Sequence, residues 1–419
     1  MKKTKALLIL AVMILTLALF ASCSAADNSA AGGDFGGSAM GSPEFSGDGS
    51  SDAAGADKIE QEPVERPAGL ITAGAHNDND HYSDWLSLFE QKDDGTNGKF
   101  FNYTGDKSWG FGSHNRVKVT VKNEEAPLAG VKVVARGEDT NSVFTGVTDA
   151  KGVAYLFIDS ESGTVSVGDI TSEFTNESRE VEISLGDEDR KMDVIDLMFV
   201  VDVTGSMGDE HEYLKNEIAD VINRVAADNK EAIINLALLF YRDDSDNEKF
   251  AYHDFTNVTN TEGLSAVQAA LSGQSATGGG DYPEAVDEAL ELAMSKQWSS
   301  GASTTIIFHI LDAPPHTTSA NKTRYNAAVT RAAEQGIRIC PILCSGSDYL
   351  TEYLVRQAAI RTGGTFIFIT DDSGIGDSHH DPEIPNVTVE ALNSLMVRLI
   401  NGYHTGEFAD PVDWRQEVK

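Results

Sequence analysis

The sequence predicts an α/β protein, a doubly wound and mostly parallel sheet preceded by a small antiparallel β-sandwich. After Asp193, near-continuous apolar runs of strand length alternate with amphipathic helical stretches, the pattern of strands covered on both faces. Between Arg116 and about Leu185, short runs alternate with period two between turn residues. With 419 residues, the chain has room for two or three domains at ~150 residues each.

Residues 1–22 read as a signal peptide: Lys2, Lys3 and Lys5 precede an apolar run from Ala6 to Ala21 broken only by Thr16. That run is short for a spanning helix of about 20 residues. The junction Phe20-Ala21-Ser22-Cys23 resembles a bacterial lipobox, with Phe20 where the pattern prefers Leu. The resemblance implies that Cys23 is diacylated and holds the exported protein to the cell membrane or outer membrane, exposed at the surface. Residues 23–66 then read as a tether. Gly, Ala and Ser dominate up to Asp57 and few large apolar groups are available to offset the entropy of ordering.

Residues 67–115 are rich in aromatic groups, from Trp85 and Phe89 to Trp109 and Phe111, and are expected to pack on the β module. Asn77-Asp-Asn-Asp-His81 lacks the Gly and distal Glu of a calcium loop and reads as turn and cap chemistry. Residues 116–189 supply six predicted strands: 117–121, 131–135, 142–147, 153–157, 164–167 and 181–184. The stretch Pro127-Leu-Ala-Gly-Val-Lys-Val133, followed by Gly146-Val-Thr-Asp-Ala-Lys-Gly-Val-Ala154, resembles the carboxypeptidase-regulatory or transthyretin-like Ig-type modules of bacterial surface proteins. Such modules imply a spacer or weak binder.

In residues 190–403 the predicted strands are 194–201, 233–241, 305–311, 337–343 and 365–369, with a short one near 250–255. Helices are expected near 211–227, 283–296, 322–335, 348–361 and 387–402, and residues 404–419 form a tail. Ligands of such sheets sit beyond the carboxyl ends of the strands. There the sequence reads Asp202-Val-Thr-Gly-Ser-Met-Gly-Asp-Glu210, Asp243-Asp-Ser-Asp246, Thr277-Gly-Gly-Gly-Asp-Tyr-Pro-Glu284 and Asp312-Ala-Pro-Pro-His316. Hard oxygens converging from several loops suit Mg²⁺ or Ca²⁺.

This region resembles the von Willebrand factor A domain with its metal-ion-dependent adhesion site, a Rossmann-like fold. Asp202, Thr204 and Ser206 match the family's Asp-x-Ser/Thr-x-Ser motif and Asp312 its second carboxylate. The middle ligand stays open. Where many members use a Thr, here Thr277, the stretch Asp281-Tyr-Pro-Glu284 resembles the integrin β-subunit version and favours Glu284 or Asp281. The same resemblance places Asp209 and Glu210 beside a second cation, and Asp281, Glu284 and Asp243 beside a third. It implies Mg²⁺ or Mn²⁺ at the main site, with Ca²⁺ beside it, and a protein partner whose Asp or Glu carboxylate displaces a metal-bound water. The function expected is adhesion or scaffolding at the cell surface. The alternatives are a non-adhesive envelope assembly protein with a structural metal and, further off, a metal-dependent hydrolase.

Composition agrees with these exclusions. The 66 acidic and 32 basic residues leave a net charge of −34, unsuited to gripping nucleic-acid phosphates. Catalysis is not expected, because the sequence shows no P-loop, Gly-x-Ser-x-Gly elbow or His-Glu-x-x-His motif. His379-His380-Asp381 reads as a polar loop. Cys340 and Cys344 would lie ~13 Å apart along one strand face, too far for a disulfide, and are expected to be buried thiols.

Overall fold

The computed structural model describes residues 70–417 other than 106–107, 125, 139–141, 187–189, 375–381, 383 and 385–386. The expected signal peptide, Cys23, the tether up to residue 66 and His379-His380-Asp381 lie outside the described residues.

The β module is built from β2 (Arg116–Lys122), β3 (Lys132–Gly137), β4 (Val143–Val147), β5 (Val153–Phe157), β6 (Gly163–Val167), β7 (Ile170–Phe174) and β8 (Glu180–Ser184), after β1 (Thr72–His76) and α1 (Tyr82–Ser87). Its two sheets run β5-β2-β8 and β4-β3-β6-β7. Pairing is antiparallel except for β2 with β8, which is parallel. Inward Val117, Val119 and Val121 are fully buried while their neighbours are half-buried, as period-two alternation demands. Strand β7 had no sequence prediction, because Ile170-Thr-Ser-Glu-Phe174 is mostly solvent-exposed.

The large sheet contains β9 (Val194–Asp202), β10 (Ile233–Tyr241), β11 (Phe250–Asn257), β12 (Thr304–Leu311), β13 (Arg338–Leu343), β14 (Phe366–Ile369) and β15 (Glu390–Ala391). Its order is β11-β10-β9-β12-β13-β14-β1-β15. Strands β10, β9, β12, β13 and β14 are parallel, and β11, β1 and β15 add antiparallel pairs at the two sides. Helices α2 (Gly208–Asp228), α3 (Thr261–Ser272) and α7 (Leu392–Thr405) bury their apolar stripes on one face. On the other lie α4 (Val286–Met294), α5 (Ser319–Gln335) and α6 (Tyr349–Thr362), in one continuous core with the β module. A short α8 (Trp414–Glu417) follows.

Three features differ from the sequence reading. Residues 72–76 are a strand of the large sheet, with Ala73 opposite Ile369 and His76 opposite Phe366. The aromatic segment packs largely against the α/β domain: Phe89, Phe100 and Tyr103 meet Tyr353 of α6, and Trp109 and Phe111 meet Tyr325 of α5. The helix expected from 283 begins at Val286, because Glu284 is held in a bridge with Pro315 instead. Asn77 makes the expected turn, accepting from the backbone of Asp80 and His81. Asp78, however, is buried against Arg356. Cys340 and Cys344 are free and buried.

Candidate metal centre

The strand order reverses at β9, which has β10 on one side and β12 on the other. The chain ends of β9 and β12 therefore splay apart and leave a crevice at their carboxyl edge. Asp202 is the last residue of β9, and Asp312 follows β12 directly. Both are buried.

Asp202 Oδ1 accepts from the Thr204 backbone N at 2.9 Å and Thr204 Oγ1 at 2.7 Å, and Thr204 Oγ1 lies 3.2 Å from Ser206 Oγ. The Asp-x-Thr-x-Ser loop is thereby folded so that the side-chain oxygens of all three residues stand together. The loop of residues 277–284 closes over it: Thr277 N donates to Val203 O at 2.9 Å and Gly205 N to Gly278 O at 3.0 Å. Gly278 and Gly279 have φ of 81° and 82°, a region that favours glycine. A Cβ on Gly279 would stand 3.1 Å from Glu284 Oε1 and 3.2 Å from Thr204 Cβ, so this loop lies directly on the carboxylate and the hydroxyl residue.

Glu284 is only 3% exposed. Its N donates to Pro314 O at 2.9 Å, which carries the side chain inward beside the Asp312 loop. Thr277 is exposed, with its backbone committed to Val203 and to Arg242, whose Nε donates to Thr277 O at 3.0 Å. Of the three middle-ligand candidates, Glu284 is the one the fold buries beside Asp202 and Thr204. Asp281 is exposed and goes elsewhere, as described below.

At this centre three buried carboxylate oxygens have no hydrogen-bond partner among the described residues: Asp202 Oδ2, Glu284 Oε2 and Asp312 Oδ1; Glu217 Oε2, on α2, is a fourth such oxygen outside it. Burial, then the Asp312 charge, pushes the Asp202 carboxyl up to about 7. Burial and the charges of Asp202, Asp243 and Asp312 push Glu284 up to about 9. Burial also raises Asp312, with Glu210 adding repulsion. Mutually repelling acids with orphaned oxygens fit a divalent cation, which satisfies those oxygens and removes the repulsion at once. Behind them, Tyr241 Oη lies 3.3 Å from Nε2 of His309, which burial pushes down to about 3 and keeps neutral.

A second group lies alongside. One ligand atom each from Asp243, Asp281 and His316 fall within 4.8 Å of one another, a cluster capable of holding a divalent ion. His316 Nε2 is 2.9 Å from Asp243 Oδ1, and Ser245 Oγ donates to Asp243 Oδ2 at 3.0 Å. Asp246 Oδ2 accepts from Asp243 N at 3.2 Å and Gly279 N at 3.0 Å, tying this loop to the glycines. Glu210 instead accepts from the hydroxyl and backbone N of Ser345, in the loop after β13. The side chain of Asp209 is outside the described residues.

His316, Asp246, Tyr282 and Ser345 were not singled out by sequence. His316 stood in view four residues after Asp312, but nothing local says that it turns toward Asp243. Tyr282 Oη donates to Asp312 O at 3.2 Å, bracing the site from outside.

Residues 196–370 match the family model of the von Willebrand factor A domain. The chain carries a von Willebrand factor A-like domain. Over 130 residues it is 31% identical to the alpha-protein kinase vwkA of Dictyostelium discoideum, covering 31% of this chain and 20% of that protein. Over 222 residues it is 26% identical to a putative ariadne-like RING finger protein of Acanthamoeba polyphaga mimivirus, covering 48% of this chain and 20% of the other. The chain thus spans about a fifth of the length of these curated relatives. Among solved structures it is similar to BatB from Bacteroides thetaiotaomicron, with 13% identity, 50% of this chain and 98% of that one covered, and a TM-score of 0.34. It is also similar to the pilus adhesin SpaC from Lactobacillus rhamnosus GG, with 11% identity, 58% and 36% covered, and a TM-score of 0.30.

Proposed function

We propose that the protein is a surface-exposed, lipid-anchored binding protein whose A domain engages a protein partner through a divalent cation, in adhesion or scaffolding. The observation that carries the reading is the set of three buried carboxylates with unpartnered oxygens beside the Thr204 and Ser206 hydroxyls, at the sheet's switch point. Asp202, Thr204, Ser206, Glu284 and Asp312 would hold the ion. All are oxygen donors, which favours Mg²⁺ or Mn²⁺. A bound cation would supply Lewis acidity able to attract an outside carboxylate. The chain's own residues do the rest: Thr204 and Glu210 are held by neighbours, Tyr282 braces the Asp312 backbone, and Gly279, lacking a Cβ, lets its loop approach Glu284 and Thr204.

We read this as binding without turnover, since the donors at this centre are carboxylates and hydroxyls arranged to hold an ion. Export and the Cys23 anchor belong to the same reading and rest on the sequence alone.

Mn²⁺ tests the proposal by water-proton relaxation. The full chain should enhance relaxation when it takes up Mn²⁺, and peptides bearing Asp or Glu should reduce that enhancement by displacing a bound water, whereas their Asn or Gln counterparts should not. Asp202→Ala should remove the carboxylate-sensitive part of the enhancement while circular dichroism stays native. Uptake of Mn²⁺ with no response to any carboxylate would favour a purely structural metal.

A further inference from the structure

The resemblance to integrin β subunits implied an all-oxygen site made of Asp243, Asp281 and Glu284. The structure draws a different set: the imidazole of His316 joins Asp243 and Asp281, while Glu284 turns toward Asp202 and Thr204. Nitrogen among the donors changes which ion the site prefers. Imidazole suits Zn²⁺ and its first-row neighbours, whereas Mg²⁺ and Ca²⁺ seek oxygen.

We propose that Asp243, Asp281 and His316 form a second cation site that takes a borderline transition-metal ion of the Zn²⁺ class and clamps together the loops framing the Asp202 centre. The three ligands come from three separate loops, after β10, before α4 and after β12. An ion shared among them therefore fastens each loop to the other two. In a tetrahedral site with donors at ~2.1 Å, neighbouring donors stand about 3.4 Å apart. The His316 Nε2 to Asp243 Oδ1 separation of 2.9 Å needs to open by only about half an ångström to admit an ion. Exposed Asp281 closes the third position, and a fourth is left to water.

Two further observations support a built site. Asp243 is buried, and its Oδ2 is occupied by Ser245, which leaves Oδ1 as the ligand atom. The glycine loop lies tight over both centres. A Cβ on Gly280 would be 3.0 Å from Asp243 Oδ2, and one on Gly278 would collide with the Asp246 carboxylate at 2.2 Å.

The assignment is separable from partner binding. The test uses the full chain carrying Cys23→Ser, His379→Ala and His380→Ala, to remove other soft ligands, in millimolar Mg²⁺ to fill the oxygen site. Zn²⁺ is titrated calorimetrically, and Co²⁺ reports a low-coordinate protein site through its intense visible absorption. One equivalent of Zn²⁺ is expected. His316→Gln should weaken it by at least about 100-fold, since removing even an outer-shell partner costs 10- to 100-fold, and should abolish the Co²⁺ spectrum. Asp202→Ala should leave both intact even if it destroys Mg²⁺ and carboxylate binding. Zn²⁺ affinity unchanged by His316→Gln, or lost with Asp202→Ala in a folded protein, would overturn the assignment.

Discussion

At the scale of single residues, the A domain concentrates its cost in a few acids. Glu284 ordinarily titrates at 4.5 but is lifted to about 9 in the fold, so above the ordinary value the folded protein holds a proton that the unfolded chain has released. The stability this contributes is full below pH 4.5 and is lost as pH rises through about 9. Asp202 and Glu217, each lifted to about 7, act in the same direction at lower pH. The chelated protein should therefore melt at progressively lower temperature as pH is raised from neutral to about 9, and Mg²⁺ should flatten that fall by replacing the protons. Glu284→Gln should stabilise the chelated protein at pH 8 and shrink its response to Mg²⁺. A variant with the same pH slope as the parent would show that Glu284 does not carry the effect. The Asp-x-Thr-x-Ser residues and Asp312 were legible in sequence because they sit within a few residues of strand ends. His316 was not, since its partner Asp243 lies 73 positions away.

Among the elements, α6 shows how local chemistry and burial combine. Asp348 caps it, its Oδ1 accepting from Thr351 N at 2.8 Å and Thr351 Oγ1 at 2.7 Å, and Gly363 ends it with φ 69°. Replacing Asp348 by Ala should cost about 1 kcal/mol, a fall in melting temperature of ~2–4 °C for a domain of this size. Gly364 is under tighter constraint. A Cβ there would lie 2.0 Å from the Ile339 carbonyl oxygen, so Gly364→Ala must push α6 away from β13. Its expected loss, from overpacking, is about 1–3 kcal/mol, measured by urea unfolding; a neutral Ala variant would refute that close approach. The elements missed from sequence share a reason. Strand β1 is mostly Thr, Ala and Gly because a Cβ on Gly74 would meet Phe368 at 2.5 Å, so tight packing erased the apolar signal. Helix α3 buries only Gly263, Val267 and Leu271, too sparse a stripe to stand out.

On the scale of the whole molecule, β module and A domain share a core, and buried charge helps join them to the aromatic segment. Arg356, fully inside, bonds Asp78 with Nε at 3.0 Å and Glu352 with Nη1 at 3.1 Å, and Lys99 reaches Glu352 at 2.7 Å. These residues come from the β1–α1 loop, the aromatic segment and α6. Arg356→Met should leave Asp78 without its guanidinium and cost about 3–5 kcal/mol. Arg361 stacks over Phe111, Phe144 and Phe157, linking α6 to the β module. An excised fragment of residues 190–405 would expose these faces and lose β1. It should aggregate, whereas residues 70–417 should unfold in one calorimetric transition. Two separated transitions would contradict the shared core.

The sequence by itself determined the alternation of buried strands and helices and the acids at the strand ends, because periodicity and strand termini are local properties of the chain. It also carried the −34 charge that turns attention to cations. The tertiary structure decided what distance along the chain conceals: that residues 72–76 complete the A-domain sheet, that Glu284 and not Asp281 is buried beside Asp202, and that His316 meets Asp243. Each is a contact between residues far apart in sequence, and only folding brings such pairs within bonding range.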